Sequence, residues 1–105
     1  MPQGRLAALQ RMERTGLIAV IRADSPASLV DVCKALVEGG VDVAEITMTT
    51  PNALEAIATA RDQLGEDCLV GVGSVLDAET ARAAILAGAE FVFAPTFDPA
   101  VIEMA

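Results

Sequence analysis

Four short apolar runs, each followed by a helix-opening signal, constrain this chain more than any other feature. LIAVIR begins at Leu17, VDVAEIT at Val41, CLVGVGS at Cys68 and EFVFAP at Glu90, a repeat of about 25 residues. Each run is rich in β-branched residues and bounded by turn chemistry, which predicts a strand. None alternates cleanly between polar and apolar, the pattern of parallel strands buried on both faces. Ser25 and Pro26 open a helix as cap and first-turn residue. Its Leu29, Val32, Cys33, Leu36 and Val37 are expected inward, and Gly39 and Gly40 end it. Thr50 and Pro51 are expected to open the next helix, with Leu54, Ile57 and Ala58 inward. Asp77 opens a third, with Ala81, Ala84, Ile85 and Leu86 inward, and Asp98 with Pro99 opens a fourth. A polar amphipathic helix over residues 4–14 is expected to precede the first strand and plug one end of the sheet.

Strict βαβα alternation with short loops implies a parallel sheet and right-handed crossovers. Two architectures fit: a doubly wound open sheet, or part of a (β/α)₈ barrel. Polar residues gather where the strands end, at Arg22, Glu45, Thr47, Thr49, Ser74 and the Ala94-Pro95-Thr96 turn, which is where barrel enzymes keep their sites. A dinucleotide site is not indicated. IRADSPAS after the first run has no glycine, and GVGSV lacks the third one.

Composition narrows the function classes. The chain has 105 residues, enough for one domain over 1–105, with 53% apolar residues and no Trp or Tyr. The core must therefore be built from small aliphatic layers. A net charge of −8 argues against a nucleic-acid partner, which would need a basic face. No apolar run approaches the ~18 residues of a membrane span, and the N-terminal stretch has no hydrophobic signal core, so no membrane partner and a cytoplasmic location are expected. There is no histidine, and Cys33 and Cys68 lack metal-ligand spacing, so no metal is expected. Both cysteines are read as small buried residues in a reducing compartment.

Glu45 stands inside a strand between Ala44 and Ile46. A carboxylate in an apolar interior has a raised pKa and can act as a general acid/base; the competing reading is a strand-end charge paired with Arg22. Arg22 could hold a carboxylate through two parallel hydrogen bonds, or simply keep Glu45 ionised. Thr47, Thr49 and Thr50 offer hydroxyls but are also ordinary strand residues. The glycines of GVGSV let a backbone approach closely, and Ser74 adds a hydroxyl. Pro95 ends the fourth run. Lys34, the only lysine, falls mid-helix and reads as a solvated surface residue.

Together VIRA, EITMTTP, GVGSVL and AGAEFVFAP resemble, in order and spacing, the 2-keto-3-deoxy-6-phosphogluconate aldolase family and its 4-hydroxy-2-oxoglutarate aldolase relatives. The resemblance runs over residues 17–105. It implies a (β/α)₈ barrel of which this chain holds about the first four βα units, preceded by the N-terminal helix. It implies a class I aldolase that cleaves a 2-keto-3-deoxy sugar acid phosphate to pyruvate and glyceraldehyde 3-phosphate, with no cofactor, commonly as a homotrimer. Glu45 then corresponds to the acid/base glutamate. Thr49 stands where some members carry an arginine that helps hold the pyruvate carboxylate. Ser74 stands where many have threonine. Pro95 matches a proline at the end of the fourth strand, and Arg22 an arginine closing the first. The family's Schiff-base lysine lies on its sixth strand, outside the resembling region. Hence the expectation is an N-terminal portion of such an aldolase, inactive alone. A non-catalytic half-barrel assembly module and a complete small α/β protein with another ligand are the competing readings.

Overall fold

The computed structural model describes residues 4–105. β1 (Ala19–Ile21), β2 (Val43–Thr47) and β3 (Leu69–Gly73) form one parallel sheet in the order β1-β2-β3. Helices α2 (Pro26–Glu38), α3 (Ala53–Leu64) and α4 (Ala78–Ala87) pack on one face. There Ile21, Ala44, Ile46, Val70 and Val72 meet Leu29, Val30, Cys33, Ala56, Ile57, Ala60, Ala81 and Ala84 in one cluster. The alanines on α3 and α4 leave little side chain between helix and sheet, so a core without Trp or Tyr still packs closely. Burying the Ile57 side chain contributes roughly 1.5–3 kcal/mol.

Caps fall where the sequence puts them in three of four cases. Ser25 Oγ accepts the Ser28 N–H at 3.1 Å, Asp77 Oδ1 accepts that of Thr80 at 2.6 Å, and Asp98 Oδ1 accepts that of Ala100 at 3.0 Å, the last opening α5 (Pro99–Met104). The second expected opening is corrected. Thr50 N–H bonds back to Thr47 O at 3.0 Å, so Thr50 and Pro51 lie in a turn, and α3 begins at Ala53 behind a left-handed Asn52. That shift rotates the inward stripe to Ala53, Ala56, Ile57, Ala60 and Leu64, leaving Leu54 and Ala58 outside. On α2, Leu29 and Cys33 are buried as expected and Val30 joins them, with Val32 turned out. On α4, Ile85 and Leu86 also face outward, Leu86 with 72% of its surface exposed.

The fourth run is also corrected. EFVFAP forms no extended strand, only a single parallel bridge between Val72 and Val92. Its backbone is still tied to β3, with Glu90 N–H to Val70 O at 2.8 Å and Phe93 N–H to Val72 O at 2.8 Å. This bonding turns Val92's own N–H and C=O to the outer side, where no described strand pairs with them. Pro95, without an N–H, stops the ladder.

α1 (Arg5–Thr15) plugs the N-terminal end of the sheet as expected, with Ala8 and Met12 against Val43, Leu69, Ile18 and Phe91. It is anchored by Asp42, which accepts from Arg11 Nε at 3.0 Å and from the Thr15 hydroxyl. Burial pushes the Asp42 carboxyl up, but Thr15 and Arg11 together outweigh it and hold it below its ordinary value. Cys33 and Cys68 are both buried and free, as read from the sequence; the hydrogen bond that the Cys68 thiol donates to Cys33 lowers Cys33 and, together with burial, raises Cys68.

A second pair, Arg61 with Glu90, links α3 to the 90–94 segment. The Glu90 side chain is 6% exposed, and burial raises its pKa while the Arg61 charge opposes the rise. Removing one partner of such a pair leaves a buried charge. Arg61→Ala is expected to destabilise the chain by about 3–5 kcal/mol in urea unfolding, whereas an Arg61→Met/Glu90→Leu double variant recovers most of that loss.

Candidate functional site

Strand residues alternate between faces, so the register sorts the second face of the sheet into rows. The lowest row is Val43 and Leu69, capped by α1. The next places Val20 beside Glu45 and Glu45 beside Gly71. The uppermost places Thr47 beside Gly73, with Arg22 one residue beyond the last β1 pair. α1 covers only the lowest row, and Val20, in the middle row, is 62% exposed. A carboxyl therefore occupies the middle of a face that no helix covers above its lowest row, between the apolar Val43 and Leu69 below and Thr47 above.

Burial alone raises the Glu45 pKa above the ordinary glutamate value. The reading that pairs it with Arg22 is not supported: the ion pairs among the described residues are Arg11–Asp42, Arg14–Asp42 and Arg61–Glu90. Arg22 is instead exposed, its Nε donating to Thr47 Oγ1 at a long 3.4 Å. Thr47 Oγ1 also shares hydrogen bonds with Thr49 Oγ1 at 2.8 Å and Thr50 Oγ1 at 3.3 Å. Thr47 and Thr50 are buried and Thr49 is exposed. The outcome is one guanidinium and one outward hydroxyl above Glu45, backed by two buried hydroxyls. Such a set suits a planar anion, because its donors can converge on two oxygens.

Ser74 follows Gly73 at the end of β3 with φ +60°, a left-handed conformation rare for residues other than glycine. Met48 N–H bonds to Gly73 O at 2.9 Å and Val75 N–H to Phe93 O at 3.2 Å, which sets Ser74 between the threonine turn and residues 93–97. Pro95 is exposed in that stretch, at the same end of the sheet. Arg22, Glu45, Thr49 and Ser74 thus gather at the carboxyl ends of β1 to β3. Pro95 lies at the same level, without a hydrogen bond to any of them. Sequence reasoning passed over Phe91 and Phe93, whose ring centroids are 4.9 Å apart. Their spacing of two was the available signal, since it puts both rings on one face. A cavity of about 950 Å³ lies elsewhere: it follows the outer edge of the 90–97 segment between α1 and α5, and Glu45 does not line it.

Lys34 is exposed on α2, which packs on the face opposite Glu45. Among the described residues no cluster of His, Cys, Asp or Glu could hold a metal ion, and no helix is long and apolar enough to cross a membrane.

Comparison with known proteins follows this geometry. The family model described as "Aldolase: KDPG and KHG aldolase" matches residues 9–105. A 2-dehydro-3-deoxy-phosphogluconate aldolase of Treponema pallidum is 39% identical over 93 residues, 89% of this chain and 44% of that protein. A probable 2-dehydro-3-deoxy-6-phosphogalactonate aldolase of Rhizobium meliloti is 34% identical over 92% of this chain and 45% of its own length. This chain therefore spans somewhat less than half of these curated relatives. Among solved structures, 2-keto-3-deoxy-6-phospho-gluconate aldolase from Zymomonas mobilis superposes with a TM-score of 0.71 at 36% identity, over 77% of this chain and 38% of that one. KDPG aldolase from Legionella pneumophila, with pyruvate captured as a covalent carbinolamine, gives 0.76 at 28% identity, over 83% and 42%.

The Glu45 carboxyl sets a pH test. A folded-state pKa above the unfolded one means that the native chain binds the extra proton, so stability falls as pH rises from the ordinary glutamate range through the raised value. Glu45→Gln, which mimics the protonated form, is expected to melt higher than wild type at neutral pH and to match it in acid. A melting difference that stays constant from acid to neutral pH would contradict this.

Proposed function

Because the chain belongs to the KDPG and KHG aldolase family, we propose that it supplies the acid/base half of a class I aldol-cleavage site for a 2-keto-3-deoxy sugar acid phosphate. The observation that carries this reading is Glu45, a carboxyl raised by burial alone, in the middle of a helix-free sheet face with anion-binding groups above it. In class I chemistry an amine attacks the substrate keto carbon, and a nearby acid delivers a proton to the keto oxygen as the carbinolamine forms. After loss of water, the same group as carboxylate takes the proton of the C4 hydroxyl. The C3–C4 electrons pass into the iminium, and the aldehyde departs. Glu45 performs both transfers. Arg22 and Thr49 hold the pyruvate carboxylate, Ser74 gives a hydroxyl to the reacting oxygens, and Pro95 shapes the rim.

The amine comes from a lysine outside these 105 residues. Lys34, the sole candidate here, is on the wrong side of the sheet. The complete site belongs to a (β/α)₈ barrel, of which this chain contributes about four units. The helix-free face and the outward Val92 edge fit that reading, since both leave groups that further strands would cover. The chain alone therefore has no aldolase activity.

The test is an aldol-cleavage assay on a polypeptide continued through the lysine-bearing strand. There Glu45→Gln is expected to lower kcat by about 10²–10⁴, the usual contribution of a positioned acid/base, with little change in KM. Undiminished turnover in that variant would remove Glu45 from the chemistry.

A further inference from the structure

The GVG of β3 has so far carried no role beyond close backbone approach. Gly71 and Gly73 both lie on the face that bears Glu45, and each is occupied from above. A methyl group built on Gly71 would run into the ring of Phe91. One built on Gly73 would overlap a carboxyl oxygen of Glu45, and would crowd its Cδ and Cγ as well. Neither glycine has a positive φ, so the backbone does not require glycine at either position. What requires it is the space above. By register Glu45 stands directly beside Gly71, while its carboxyl reaches Gly73, one row higher. The side chain therefore runs diagonally toward the carboxyl end of the strands, along a trough floored by bare backbone and closed below by the Phe91 ring.

We infer that Gly73 is a positioning residue for Glu45: the missing side chain at 73 is the seat that holds the carboxyl against β3 and aims it at the strand ends. The significance of that seat for catalysis rests on the functional reading above, but the seat itself does not. Its consequence is selective. The three atoms nearest to an alanine methyl at 73 all belong to the flexible Glu45 side chain, so the substitution displaces Glu45 into water and leaves the sheet intact. An alanine at 71 meets an aromatic ring in the packed lower row and acts on stability instead.

The experiment follows the Glu45 Cδ resonance by carbon-13 NMR across a pH titration of the 105-residue chain, in wild type, Gly73→Ala and Gly71→Ala, with thermal melting recorded for each. Gly73→Ala is expected to bring the Glu45 midpoint down toward that of an ordinary glutamate, with melting nearly unchanged in acid, where the carboxyl is protonated in both proteins. Gly71→Ala is expected to lower the melting temperature the more. A Glu45 midpoint unmoved by Gly73→Ala would overturn the assignment. If that variant fails to fold, wild type decides alone: an NOE between Glu45 Hγ and Gly73 Hα supports the seat, and its absence overturns it. Neither readout uses activity, so a failure here is distinct from active Glu45→Gln in the cleavage assay.

Discussion

A carboxyl group resting on the bare backbone of a neighbouring strand, with no ion-pair partner among the described residues, is the constraint on which the candidate site depends. Glu45 is not neutralised by Arg22, which bonds to Thr47 instead. Desolvation is thus left to set its protonation, and the direction is upward. Everything around it serves that state. α1 seals the row below, Phe91 fills the space over Gly71, and Gly73 leaves the gap that the carboxyl enters. An ion pair at the same place would hold the group ionised and remove its use as an acid near neutral pH.

Much of this was legible in the sequence because the signals were local. Ser25, Asp77 and Asp98 cap the helices they precede, since a side-chain oxygen two or three residues before an unbonded N–H needs no tertiary help. The position of Glu45 within an apolar run offered a raised pKa as one of two readings, and the absence of an Arg22–Glu45 pair among the described residues decides between them. Legibility failed where tertiary contacts decide. Thr50 and Pro51 look like a helix start, yet the Thr47 hydroxyl and carbonyl draw the chain into a turn, and the whole inward stripe of α3 shifts with it. The run EFVFAP looks like a strand, but its pairing with β3 amounts to one bridge and stops before Pro95, which has no N–H to give. The Glu45 seat was invisible because register sets Glu45 beside Gly71, and only the diagonal run of its side chain brings the carboxyl to Gly73 one row higher.

The two faces of the sheet differ in how complete they are. On one, alanine-lined helices close over Ile46, Val70 and Val72 until these are fully buried. On the other, Val20 is open, and Phe97, past the end of the fourth run, is 85% exposed. Exposed apolar groups rimmed by polar strand ends mark a surface built to be covered. The family to which the chain belongs, and its span of under half the curated relatives, agree with the proposal that further βα units supply that cover.

The central claim is that the acid/base carboxyl and the nucleophilic amine of the site lie on different stretches of polypeptide. It is tested most directly by incubating this 105-residue chain with pyruvate and borohydride and recording its intact mass. The account predicts an unmodified protein, because Lys34 lies across the sheet from Glu45. A stoichiometric pyruvyl adduct mapping to Lys34 or to the N-terminal amine would contradict it.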